Sequence, residues 1–343
     1  MKKVFKFIIS CLAVSVFLCG CKSAEKTESS PESDSKAVED IPVTETSAVH
    51  TEKETVTENK TEVFSGFEIT EISLSVGNTP SSLNQNGLLY CDDEKMLFND
   101  INSNLILQRG EQRKTIADSV SAKCINVIND NIYFINSADK NQAYLYNISN
   151  DKCEVYIDDY VSFLMIVDDT AVYEDENHQL ISFRNGITEI ISSQQVLWVD
   201  IFADNIIYTE LNGNNSTVKA FNINTNENVT LLDYGFSPSV YNEYLYYQAK
   251  SGEILRLNLL DGKSEEFCSE WGQQFCFTQD EFYFLNSKGI NGKNGIVYQP
   301  ENDEFSVMSI FSCNNELYFT EGNDSETYLY QLNVETNEKD LIE

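Results

Sequence analysis

Asn129-Asp130-Asn131-Ile132-Tyr133-Phe134-Ile135-Asn136 couples a polar turn cluster to a short run rich in aromatic and β-branched residues. That grammar marks a hairpin strand. Ahead of it Ala122–Ile128 is apolar and extended. Behind it Ser137–Gln142 forms a polar loop, Ala143–Ile148 a third strand, Ser149-Asn150-Asp151 a second turn, and Cys153–Ile157 a fourth strand. Residues 120–157 therefore read as a four-stranded antiparallel meander.

The aromatic run recurs about every 35–44 residues, as Leu88-Leu89-Tyr90, Ile132-Tyr133-Phe134, Ala171-Val172-Tyr173, Ile206-Ile207-Tyr208, Leu245-Tyr246-Tyr247, Phe282-Tyr283-Phe284 and Leu317-Tyr318-Phe319. Periods of this length mark repeat architectures. Later units keep the same order, and the stretch from Val334 to Ile342 closely matches that from Ile223 to Leu231. Helical periodicity is absent. Runs such as Phe282-Tyr283-Phe284-Leu285 are apolar on both alternating faces, as strands covered on both sides must be. An all-β fold follows: a seven-bladed β-propeller of four-stranded antiparallel blades over 64–343. The alternating segment Glu68–Leu74 is expected to lie against a terminal blade and help close the ring.

The N-terminus reads differently. Met1-Lys2-Lys3 precedes a short apolar run, as in a secretory signal. Leu18-Cys19-Gly20-Cys21 resembles a bacterial lipoprotein box, which implies a signal peptide over 1–20 and lipid on Cys21. Each buried methylene of such a lipid contributes about 0.8 kcal/mol, so two chains hold stably where one does not. Residues 21–63 are rich in Ser, Thr, Glu and Lys and cannot bury enough surface to order themselves. They are expected to be a disordered tether with a mean span on the order of 35–40 Å. The expected address is the extracytoplasmic face of a bacterial membrane.

Tyr246-Tyr247-Gln248-Ala249, followed by Ile254-Leu255-Arg256-Leu257-Asn258-Leu259-Leu260-Asp261-Gly262, resembles the YWTD repeat of low-density-lipoprotein-receptor propellers and its I-x-R-x-x-L-D-G continuation. The tryptophan and the Thr-Asp of that motif are missing, so a receptor-like ligand does not carry over. The chain also looks like bacterial surface lipoproteins of uncharacterised function that bear degenerate repeats of this kind.

A formal charge of −32 argues against nucleic acid and anionic lipid surfaces as partners of the folded part. Of nine cysteines, Cys11 and Cys19 leave with the signal and Cys21 is acylated. The other six show no C-x-x-C spacing and sit mostly in strands. They are expected to be buried thiols, with Cys268–Cys276 as the pair to check for a disulfide.

Neither a catalytic motif nor a metal-binding spacing is found, and no cofactor or metal is expected. The two histidines lie in the tether (His50) and in the turn Glu174-Asp175-Glu176-Asn177-His178. His178 reads as a solvated turn residue. Loops between second and third strands should gather on one face, because a rigid scaffold presents its binding residues on loops. The rim expected there comprises Asp92, Asp93, Glu174, Asp175, Asn212 and Asp324, with Trp271 beside it. The expected role is a monomeric binding or scaffolding module for an envelope protein or glycan. The alternative is a carboxylate-dependent carbohydrate-active hydrolase.

Overall fold

Turn chemistry divides the chain into its blades. Asn129, Asp168, Asn242 and Asn314 take φ between 44° and 55° in the turn after the innermost strand of their blades. This left-handed region suits short polar side chains that bond locally, and it matches the twist of a tight hairpin. Seven four-stranded antiparallel sheets result, each in simple sequential order. The computed structural model describes residues 64–68, 74–278 and 281–342. The signal peptide, Cys21, the tether and most of the expected strand Glu68–Leu74 lie outside the described residues.

The innermost strands are Leu89–Cys91, Lys123–Ile128, Phe163–Val167, Val196–Phe202, Phe236–Tyr241, Gln273–Thr278 and Ser306–Cys313, for blades 1 to 7. The unit read first from sequence is blade 2, and its strands fall within a residue or so of expectation, the last being Lys152–Ile157. Second strands are buried on both faces. Ile206, Ile207 and Tyr208 are all 0 % exposed, which only a blade covered on either side allows. Ile135 of blade 2, Tyr173 of blade 3 and Tyr208 of blade 4 share one apolar cluster, so the core lies between neighbouring blades.

Residues 77–87 fill the axis. Their short helix, Pro80–Leu83, starts at Thr79, whose hydroxyl accepts from Ser82 N–H, and has proline in its first turn. It packs against inner strands of blades 2, 3, 4, 6 and 7. Asn84 then clasps one inner-strand peptide of blade 4. Its amide nitrogen donates to Val199 O (2.7 Å), and its amide oxygen accepts from Val199 N (3.0 Å). Asn78 donates to both Leu89 O and Ile125 O, tying blade 1 to blade 2.

The described residues on either side of the Glu68–Leu74 segment attach to blades 5 and 3. Phe67 N–H bonds Leu259 O of blade 5 at 2.7 Å, and Val76 bridges Val167 of blade 3. Neither is a terminal blade. Gly66, at φ +103°, passes so close to blade 5 that an added Cβ would sit 2.0 Å from Leu260 O. Gly66→Ala should release this strap and leave the blades intact. The expected reading is at least tenfold faster exchange at the Phe67 amide, about 1.4 kcal/mol of local stability. Unchanged exchange there would refute the strap.

Ring closure is covalent. Among the described residues no strand is exchanged between blades 1 and 7. Instead Cys91 and Cys313, at the ends of their inner strands, form a disulfide with Cα atoms 5.8 Å apart. Thr79 Oγ1 donates to Ser312 O at 2.8 Å, and Leu89 and Phe98 of blade 1 share a cluster with Phe311 and Tyr318 of blade 7. The expectation of six buried thiols is thus corrected, and so is Cys268–Cys276, whose members are both free. Cys276 packs with blade 7 residues such as Phe319, whereas Cys268 packs with Tyr246 of blade 5. The sheet of blade 6 separates them.

Candidate functional site

Hydrogen bonds sort the connections into two faces. Turns joining first to second and third to fourth strands bond one another, as in Ile148 N–H to Asp130 O and Ile223 N–H to Asp204 O. The entering chain lies on this turn face, where Asp168 N–H donates to Ser75 O. Second-to-third loops bond the blade-to-blade connections on the opposite, loop face, as in Val161 N–H to Asn141 O and Leu211 N–H to Gln195 O.

Glu174, Asp175, Asn212 and Asp324 belong to second-to-third connections, and Trp271 to the connection from blade 5 to blade 6. These five share the loop face, distributed around the ring without converging. Asp92 and Asp93 do not belong there. Tyr90 stands on the inner strand of blade 1, so Asp92–Glu94 turns into the second strand, Met96–Asn99, on the turn face. The aromatic counterpart of the other blades is Phe98, and Leu88-Leu89-Tyr90 imitated that pattern one strand early.

Two of the acids are occupied by their own turns. Asp92 Oδ1 accepts from Glu94 N and Lys95 N at 2.9 and 2.8 Å. Burial works to raise its pKa, but the Lys95 ammonium and the other hydrogen bonds outweigh it and hold the carboxyl at about 2. Asp175 Oδ1 accepts from Asn177 N and Gln179 N at 2.9 and 2.8 Å, which shapes the loop. Asp324 and Asn212 are exposed, and Trp271 is 46 % exposed.

Glu174 differs. It ends the second strand of blade 3 and faces a pocket of about 140 Å³ at the loop-face mouth of the axis. Leu83 and Asn84 of the axial segment form its floor, with Phe163, Leu180 and Val196 as walls. Ser162 Oγ donates to Glu174 Oε2 at 2.8 Å, and His178 Nδ1 lies 2.7 Å from Oε1. The side chain of His178 is 45 % exposed, so it sits in a turn as expected, though paired with an acid. The carboxylate stands between serine and imidazole, so the histidine cannot act as that serine's base. Cys124 also lines the pocket. Burial pushes its thiol up to about 12, which keeps it neutral and unreactive near pH 7. The sequence signalled Glu174 through its loop, but nothing signalled Ser162 or the axial floor.

No protein-family model matches the chain, and no curated protein matches it in sequence. Solved structures do. The chain is similar to a prolyl endopeptidase at 10 % identity and TM-score 0.55, over 76 % of this chain and 50 % of that one. It is similar to a puromycin-hydrolyzing peptidase of Mycobacterium tuberculosis at 10 % identity and TM-score 0.51, over 81 % and 56 %. It is also similar to the computationally designed Ika8 protein at 8 % identity and TM-score 0.50, over 74 % and 85 %. The chain spans about half the length of the two peptidases it matches. At such identities the likeness is one of fold.

Proposed function

We propose that the protein is a binding or scaffolding module, anchored through lipid on Cys21 to the outer surface of a bacterial membrane, that recognises an envelope protein or glycan with its loop face. Membership among bacterial surface lipoproteins with YWTD-like repeats is part of this reading. The observation that carries the binding reading is the filled axis. Residues 77–87 occupy the space where a deep cleft would lie, and the pocket at the loop-face mouth is lined by one carboxylate, Glu174. Acid–base glycoside hydrolysis uses two carboxyl groups across one cleft, separated by roughly 5–10 Å. Exposed Trp271 and Asp324 supply instead an aromatic and an acid on rigid connections.

The test is capture of solubilised envelope components on the full-length protein. Trp271→Ala with Asp324→Ala should lose the captured partner at least tenfold, a loss of the size expected when an interface anchor is truncated. Asp93→Ala, on the turn face, should retain it. Equal capture by both variants, or polysaccharide turnover by the wild type, would defeat the proposal.

A further inference from the structure

The Glu174 pocket has a chemistry specific enough to name a ligand class. We infer that it receives a primary ammonium group on a short alkyl stem, an inference that rests on the reading of the loop face as a recognition surface. Its volume, about 140 Å³, is near that of a cavity holding a six-carbon ring. Leu83, Leu180, Val196 and the ring of Phe163 offer carbon to methylenes, beside the polar groups of Asn84, Asn86 and Ser162. Glu174 is the one acid among the lining residues, and no lysine or arginine lines the pocket with it. Its side chain is 15 % exposed and is held by Ser162 and His178 from two sides, so it is oriented before any ligand arrives. Each of its oxygens keeps a lone pair beyond those contacts.

Other ligand classes fit less well. An anion would meet the carboxylate. A polyol would place no positive charge against Glu174. A divalent cation needs several oxygen donors, and no group of three or more acids, histidines or cysteines suited to a metal occurs among the described residues. An alkylammonium satisfies both halves of the site, with its charge on Glu174 and its stem on the wall.

The ammonium could come from a free alkylamine or from a lysine of a protein partner. Calorimetric titration of the full-length protein with n-butylammonium, n-butanol, a lysine-centred peptide and its norleucine analogue separates these. Butylammonium should bind at least tenfold more tightly than butanol, and Glu174→Gln should remove about that factor. A lysine peptide stronger than butylammonium marks a protein source, and a weaker one marks a free amine. Equal binding of butanol or no effect of Glu174→Gln would each overturn the inference. If amine binding fails while envelope capture still depends on Trp271 and Asp324, the loop-face reading stands without it.

Discussion

Serine in place of Cys91 or Cys313 should lower the unfolding free energy by about 5 kcal/mol, the chain-entropy value for cross-linking so long a loop. The two cysteines are 222 residues apart, so their bond constrains nearly the whole ring in the unfolded chain. It also joins blades 1 and 7, which are remote in sequence, and among the described residues no exchanged strand duplicates that work. What remains after its loss includes the shared cluster of Leu89, Phe98, Phe311 and Tyr318, the Thr79–Ser312 hydrogen bond and the Asn314–Asp93 contact. Reductant should reproduce the effect in the wild type and do nothing further to the Cys91→Ser variant. Cys153→Ser, at an exposed cysteine on an outer strand, should stay within about 0.5 kcal/mol. The check is urea unfolding of each variant with and without reductant. A Cys91→Ser midpoint equal to that of the wild type would mean that packing alone closes the ring.

The blades were legible because each carries its own hairpin grammar, and local turn chemistry survives in any context. The contacts that complete the molecule were not. Gly77–Gln85 reads as an ordinary polar loop, since its value lies in amides that match inner-strand peptides brought near only by closure. Cys91 and Cys313 carry no spacing signal, because blades 1 and 7 meet only when the circle is complete. Blade 1 was misphased because Leu89-Tyr90 followed by acids looks the same on a first or a second strand, and only the partner strand tells them apart. At the site, Glu174 was visible as a loop acid. Its distinction from Asp175 depends on which way each side chain turns, and that is decided by Ser162 in a separate connection.

One signal in the sequence had a structural meaning that hairpin grammar could not supply. Val196-Leu197-Trp198-Val199-Asp200-Ile201-Phe202 places a lone acid in an apolar inner strand. Asp200 is 4 % exposed and bridges two blades, its Oδ2 accepting from Val240 N at 2.8 Å while Oδ1 accepts from Ile201 N at 2.7 Å. Asn126 occupies the corresponding register in blade 2: Asn126 pairs with Tyr133 as Asp200 pairs with Ile207, each two residues in from the turn. Its amide oxygen accepts from Ile166 N (3.0 Å), and its nitrogen donates to Leu164 O (3.1 Å). Gln274 clasps blade 7 in the same two-bond manner, through Ile310 N and Met308 O. An ionised carboxylate can only accept, so unlike Asn126 and Gln274 an ionised Asp200 has no proton to offer a strand carbonyl of the next blade.

Burial pushes the Asp200 carboxyl from 3.8 up to about 7, and the two backbone N–H groups only partly oppose it. Between those values the native chain holds a proton that the unfolded chain releases. Stability therefore falls as pH rises through this window and levels off above it. The full difference is about 4 kcal/mol at 1.36 kcal/mol per pH unit. Asp200→Asn removes the titrating group and restores a donor. It should match the wild type within about 1 kcal/mol near pH 4 and exceed it by several near pH 8. Urea unfolding of both proteins across that range reads the result directly. Curves that run parallel, or a variant weaker than the wild type at the alkaline end, would show that the carboxylate is ionised and satisfied where it lies.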